Sequence, residues 1–351
     1  MSVRGIFLLG VVTLVALTAA LLLSGPRPSS TIDQEYPLVS GLADAVNAID
    51  HVRLHYPDGE SVVDLYREGQ RWRVRQHEGF EADFENVAEF LRGLAQTRRI
   101  DERTSSSEWH GRLGLQSPGQ GEGAGLLIEF PGSGLAAVIL GNDEVTGRGQ
   151  FVRDDSDDQA WLTDRRVPWP QDPIDWLQRS VMDIPASELS AVTIVHPDGQ
   201  QVLLRAADDE SEDWVLMNVP DGREAVSAWQ RRAVANGLAD MRLDAVAPAL
   251  PAPDNAVRAL FVTRDGLNFV ATLFRDQEDD GSGGWVQFEV SAEHDAGQID
   301  DADNGEIQQR LADAAAVDQA LSPWRYRLNA RRFDPMVRTL ESLLVPLAEA
   351  N

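Results

Sequence analysis

The chain has 351 residues, 43% of them hydrophobic, a length and apolar content that suit two or three packed domains. It carries 57 acidic against 31 basic residues, a net charge of −26, and such a surface repels phosphate backbones, so nucleic acid is a poor partner. There is no cysteine, which removes disulfides, thiolate metal sites, cysteine nucleophiles and a lipidated N-terminal cysteine.

Every basic residue is Arg and none is Lys. Such a composition fits a high-salt habitat, where carboxylates stay hydrated, and it equally fits a GC-rich genome; the two are compatible. Ile6–Leu23 is an unbroken apolar run without charge. Its 18 residues reach about 27 Å as a helix, near the hydrocarbon thickness of a bilayer. A cleaved signal peptide would have a shorter apolar core followed by a small-x-small site. Here the run continues through Leu21-Leu22-Leu23, so an uncleaved signal anchor is expected. Arg4 favours a cytoplasmic start and Arg27 offsets part of that bias. The expected location is the cytoplasmic (inner) membrane, single-pass, with the bulk of the chain in the periplasm or outside.

A polar tether, Arg27–Glu35, leads to a short helix expected over Val39–Ala48. Val52, Leu54 and Tyr56 then alternate as in a strand, and Pro57-Asp58-Gly59 is a tight turn. Val62–Arg67 and Arg71–Arg75 read as two further strands, the latter with Trp72 and Val74 on one face. From Asp83 to Gln96 the period changes to helical, with Phe84, Val87, Phe90, Leu91 and Leu94 on one stripe. Arg98 and Arg99 fall where charge favours a helix C-terminus. Four more strands are expected at Gly125–Phe130, Leu135–Leu140, Gln150–Arg153 and Ala160–Thr163.

The stretch Gln171–Gly199 closes this unit and opens a second. Asp172-Pro173 is a helix-start signal, and Ile174, Leu177 and Val181 recur at helical spacing. Val192, Ile194 and His196 alternate, and Pro197-Asp198-Gly199 repeats the first turn. Trp214 stands where Trp72 stood, a helix is expected over Val226–Met241, and strands follow at Val257–Thr263, Phe269–Phe274 and Trp285–Val290. The offset between the two series is about 140 to 144 residues. Ala160-Trp161-Leu162-Thr163 resembles Pro323-Trp324-Arg325-Tyr326, and a closing helix is expected over Pro335–Ala350. The expected fold is α+β: two tandem repeats, each an antiparallel β-meander with a packed helix and further strands, behind one N-terminal transmembrane helix. The boundaries are 1–26 for the anchor, 27–47 for the tether and lead-in, 48–182 for the first repeat and 183–351 for the second. The second repeat holds a helical insertion at 295–321.

Trp72 within a strand, the Ala82–Leu94 helix, Ile139-Leu140-Gly141-Asn142, Gly147–Val152 and Trp176-Leu177 with Arg179-Ser180 carry a resemblance. With the Ile184-Pro185, Leu189 and Val192 segment, they resemble the domain of unknown function 4340 family over roughly residues 49–344. That resemblance implies a membrane-tethered, extracytoplasmic protein associated with ABC-type transport systems of the gliding-motility kind. It implies no catalytic residues.

The residues add little chemistry of their own. Asp276-x-Glu278-x-Asp280-Gly281 imitates the start of a calcium loop, but Gln287 stands at its twelfth position, where a bidentate Glu is required. Asp154–Asp158 reads as a solvated acidic tip. Asp280–Gly284 lacks the order of a serine-nucleophile loop. His51, His55, His77, His110, His196 and His294 show no metal-ligand spacing, although His51 and His55 share a strand face about 13 Å apart. Trp72, Trp161, Trp214 and Trp324 read as core, whereas Trp109 and Trp169, in loops, are the candidate contact surface. No catalytic, cofactor or metal site is expected. The expected function is a non-enzymatic extracytoplasmic interaction or assembly module, touching the lipid bilayer through Ile6–Leu23 and a membrane complex such as ABC transporter subunits. The alternative is a small-molecule or carbohydrate-binding module, which requires a cleft between the two units lined by Trp.

Overall fold

The computed structural model of the chain describes residues 36–145, 147–207, 213–275, 283–292 and 304–346. Strand β1 (Tyr36–Pro37) and helix α1 (Leu42–Ala45), continued by a 3-10 turn at Val46–Ala48, lead in. Strands β2 (His51–His55), β3 (Val62–Glu68), β4 (Arg71–Val74) and β5 (Phe80–Glu81) form an antiparallel meander. Its first turn is closed where the Gly59 amide donates to the Tyr56 carbonyl at 3.0 Å. Gly59 sits at φ 76, and the Asp58 carboxylate accepts the amides of Glu60 and Ser61. Period-two alternation buries Val52, Leu54, Trp72 and Val74 on one face.

Helix α2 (Phe84–Gln96) begins at Asp83, whose carboxylate accepts the Asn86 amide at 3.0 Å. Val87, Phe90, Leu91 and Leu94 form its buried stripe. Arg98 and Arg99 do not simply flank this helix; they open strand β6 (Arg98–Glu102), which the charged sequence conceals. A short helix α3 (His110–Leu113) precedes β7 (Leu126–Glu129), β8 (Val138–Asp143), β9 (Gln150–Asp154) and β10 (Trp161–Thr163). A Cβ on Gly125 would lie 2.4 Å from the Gly114 carbonyl oxygen, and one on Gly141 2.4 Å from that of Leu113. Glycine at both positions lets the end of α3 lie directly on β7 and β8.

The helix expected over Ile174–Val181 does not form. Asp172 caps a single 3-10 turn, Pro173–Trp176, and Leu177 is already extended at φ −83, ψ 150. The Asp83 amide donates to the Trp176 carbonyl at 2.8 Å and the Gln178 amide to the Glu81 carbonyl at 2.9 Å. Ladder bonds thus take the backbone groups that a helix would need. The chain continues as β11 (Ser180–Met182), and β12 (Leu189–Val195), β13 (Gln201–Ala206) and β14 (Trp214–Leu216) follow. The helix expected over Val226–Met241 is shorter: α4 (Ala228–Ala235) and a 3-10 turn end before β15 (Met241–Arg242), which pairs with β11.

Strands β16 (Ala245–Pro248), β17 (Val257–Thr263), β18 (Leu267–Phe274) and β19 (Gly283–Ala292) precede helix α5 (Asn304–Leu321). This helix realises the described part of the insertion and is tied to β19 where the Val290 amide donates to Asp318 at 2.8 Å. Strand β20 (Trp324–Asn329) and helix α6 (Ala330–Phe333) come next. The closing helix expected over Pro335–Ala350 is replaced by 3-10 turns at Asp334–Val337 and Glu341–Leu343, after which Leu344 bridges Ala225. This bridge has a counterpart between Leu177 and Ala82.

The first sheet runs β1-β6-β10-β9-β8-β7-β2-β3-β4-β5, and the second β14-β13-β12-β17-β18-β19-β20-β16. Every pairing between these strands is antiparallel. With a handful of helices added, the class is mixed α+β. Read from its β16 end, the second sheet follows the first from β6 to β4, strand for strand. Buried side chains from Leu38 to Leu344 form one contiguous apolar cluster serving both sheets. Among the described residues no helix is long and apolar enough to cross a membrane; Ile6–Leu23 lies outside them.

Candidate functional site

Trp169 belongs to the segment that joins the sheets, and a chain of hydrogen bonds fixes it. The buried Gln150 side chain accepts the Val167 amide at 2.7 Å, anchoring the segment just before Pro168. The buried Trp176 indole donates to the Tyr56 hydroxyl at 2.8 Å, and that hydroxyl donates to the Pro170 carbonyl at 2.8 Å. Burial pushes the Tyr56 phenol far above its usual range, so it stays a neutral donor. The Trp169 ring then stands edge-to-face on Tyr56, centroids 5.3 Å apart at 78°.

Two clefts meet at Pro168 and Trp169. The first, about 520 Å³, is bounded by the start of α2 (Asp83, Asn86, Glu89), by Asp175–Ser180 and by Arg242. The second, about 490 Å³, is bounded by Pro57, by Gly125 and Leu126, by Leu140–Asp143 and by Arg166 and Gln171. The wall of the first cleft runs from the first sheet's helix α2 to the two-stranded β11–β15 pair. Arg179 pairs with Asp175 at 2.7 Å and Asp244 at 3.3 Å, and donates to the Leu243 carbonyl at 3.1 Å. The Asn86 side chain donates to the Asp175 carbonyl at 2.8 Å. The Ser180–Arg242 pairing of β11 with β15 brings Arg242 to the rim, where its guanidinium is exposed and without an ion-pair partner among the described residues.

Trp109 is elsewhere. It is 46% exposed, lines neither cleft, and has the Arg112 guanidinium 4.5 Å from its ring centroid. The two candidate contact residues are therefore not part of one site. Trp72 and Trp214 are buried, while Trp161 and Trp324, which begin the corresponding strands β10 and β20, are half-buried against the core. Trp72 also borders a third groove of about 510 Å³, between α1, α2 and the β3–β4 hairpin.

The histidines make separate local contacts. His51 meets the buried Asp64 at 2.7 Å and His55 meets Glu129 at 3.0 Å, with Arg53 bonded to Asp64 between them. Burial alone would raise the Asp64 pKa, but His51, Arg53 and Arg75 together hold it below the ordinary carboxylate value. His110 is buried with Nε2 2.9 Å from the Asp158 carbonyl oxygen, and His196 Nε2 is 3.1 Å from that of Arg338. Burial lowers the pKa of His77, against a hydrogen bond with the Val246 backbone.

The Asp154–Asp158 tip is more organised than a solvated run. Asp154 is paired with Arg99, and buried Arg153 donates to the carbonyls of Leu115, Asp154 and Asp155. Asp276–Gly281 and His294 lie outside the described residues. Among the described residues no group of three or more His, Asp or Glu could hold a metal ion.

The model of the family described as Domain of unknown function (DUF4340) matches residues 72–260, more than half of the chain. The chain belongs to this family. The DUF4340 match starts in β4 and ends in β17, so it spans the junction of the sheets and includes both clefts' shared residues, Pro168 and Trp169. No curated protein and no solved structure matches the chain. Arg179-Ser180 was visible in the sequence as part of the family resemblance; Arg242 gave no signal, because only strand pairing across the junction brings it to the cleft.

Proposed function

We propose that this DUF4340 protein is a non-enzymatic interaction or assembly module built from two tandem units. In this reading Ile6–Leu23 tethers it to the cytoplasmic membrane with its bulk outside, as an accessory of an ABC-type transport system. The matching strand order of the two sheets supports the tandem units, as do the paired bridges Ala82–Leu177 and Ala225–Leu344. One contrast between the units carries the interaction role. In the first, the outer edge of β4 is covered by β5; in the second, the corresponding strand β14 ends its sheet among the described residues. Val215 on that strand and Met217 just after it are 44% and 56% exposed. Trp229, on the helix packed against it, is 72% exposed. A strand that ends its sheet, flanked by apolar side chains, is a surface that takes up a partner's strand. Arg231 already donates to the Trp214 carbonyl on this edge, so a partner would pair beside that contact or displace it. A Val215→Glu, Met217→Glu double variant should melt like the parent yet lose partners that copurify from native membranes. Retention of those partners by the variant would remove this surface from the proposal.

A second reading has its own observation. The two clefts meet at Trp169, where the chain leaves the first sheet, and the first of them takes Arg242 from beyond the junction, a concave and partly apolar setting of the kind a ligand-binding module needs. Thermal shift of the full chain against a panel of neutral and charged small molecules tests it, with Trp169→Ala as the variant that should lose any response.

A further inference from the structure

We infer that the paired clefts bind a linear, uncharged oligosaccharide, with Trp169 carrying a sugar ring at the point where the clefts meet. The inference rests on the second reading, that these clefts are a ligand site.

Shape is the first argument. The clefts are of nearly equal size, about 520 and 490 Å³, and they share Pro168 and Trp169. Together they follow one backbone segment from Arg166 to Ser180. Two adjoining clefts suit a chain of repeating units better than one compact molecule.

Charge is the second. Arg166 is held by Asp143 at 2.6 Å, and Arg179 by Asp175 at 2.7 Å. Asp83 is occupied as the cap of α2. The groove's ion pairs are thus largely internal, and what they leave to a ligand is hydrogen-bonding capacity. An anionic ligand would face Glu89 and the capping Asp83, and of the three arginines lining the clefts two, Arg166 and Arg179, are already in ion pairs, leaving Arg242. Asn86, Asn142 and Gln171, whose side-chain amides each donate to a backbone carbonyl, contribute amide oxygens as acceptors, and Gln178 adds a further amide to the first cleft. Amides and carboxylates are the side chains that bond sugar hydroxyls, which both donate and accept.

Preorganisation is the third. Pro168 and Pro170 flank Trp169, Tyr56 supports its ring, and the Trp176–Tyr56–Pro170 hydrogen bonds fix its backbone. A rigid aromatic wall loses little freedom on binding, and its electron-rich face attracts the C–H groups of a sugar ring.

The test is calorimetry of the full chain in detergent with neutral di- and hexasaccharides (β-1,4-linked glucose, β-1,4-linked N-acetylglucosamine and α-1,4-linked glucose), and with a uronic-acid oligomer and a basic peptide as charged probes. At least one hexasaccharide should bind, and about tenfold or more tighter than its disaccharide, because only the longer chain spans both clefts. Trp169→Ala should weaken binding by about tenfold or more. Gln178 and Arg242 are exposed, so Gln178→Ala with Arg242→Ala should weaken binding several-fold without changing the melting temperature. That pair keeps the inference testable should Trp169→Ala not fold. Binding confined to a uronic-acid oligomer or a basic peptide, and dependent on Trp169, would overturn the sugar class and leave the cleft as a ligand site. Absence of binding to every probe would overturn both.

Discussion

Replacing Phe80 with alanine tests how the two sheets are joined. Phe80 lies on β5 of the first sheet and is 8% exposed. Its ring meets Trp324 edge-on at 5.1 Å and Tyr326 at 6.3 Å, both on β20 of the second sheet. Truncating a buried Phe to Ala costs about 3–5 kcal/mol, and each aromatic pair contributes about 0.5–1.5 kcal/mol beyond area. β5 is only a two-residue edge strand and can relax around the gap, so the lower end, about 3 kcal/mol, is expected. Urea denaturation followed by tryptophan fluorescence and far-ultraviolet circular dichroism measures it. Phe84→Ala is the control: that side chain is 64% exposed and should change stability by no more than about 0.5 kcal/mol. A double-mutant cycle of Phe80→Ala with Trp324→Ala should return about 0.5–1.5 kcal/mol of coupling. A loss below about 1 kcal/mol for Phe80→Ala, or no coupling to Trp324, would refute a packed junction.

Trp72→Ala and Trp214→Ala should each cost about 3–5 kcal/mol in the same assay, with Trp72 at the lower end because it borders an open groove. Near-parental melting of either would contradict its core position. Asp64 has its pKa held below the usual carboxylate value in the folded state. Its contribution is therefore fully present above about pH 4 and lost as pH falls through the folded value. Asp64→Asn should be less stable near neutrality, and its stability should fall less steeply than the parent's below pH 4. Parallel curves of urea midpoint against pH would contradict this. His77 has its pKa lowered in the folded state, so the unfolded chain takes up the proton first and stability falls as pH drops below about 6.5. His77→Gln should flatten the stability curve between about pH 5 and 7, and an unchanged slope would be the contrary result.

The strands and α2 were legible because their patterns are local. Val52, Leu54, Trp72 and Val74 alternate, Val87, Phe90, Leu91 and Leu94 step around a helix, and both Pro-Asp-Gly turns dictate their own geometry. Strand β6 was hidden because Arg98–Glu102 is mostly exposed and charged; its place is set by partners β1 and β10, not by its own side chains. The segments after Pro173 and Pro335 carry helical spacing, yet each makes only 3-10 turns before an extended residue bridges back to Ala82 or Ala225. There, long-range ladder bonds outweigh a local preference. The clefts could not be read at all, since their walls combine α2, the 166–180 segment and Arg242. The sequence placed Trp169 in a loop, but only the Tyr56 contact shows that the loop is a rigid wall.

The interaction role is tested most directly by gentle detergent extraction of the tagged full-length protein from its own membranes, with mass spectrometry of what copurifies. The expected result is an intact N-terminal peptide containing Ile6–Leu23 together with stoichiometric ABC permease or ATPase subunits. A processed, water-soluble protein that copurifies with no membrane subunit would contradict the tethered assembly module.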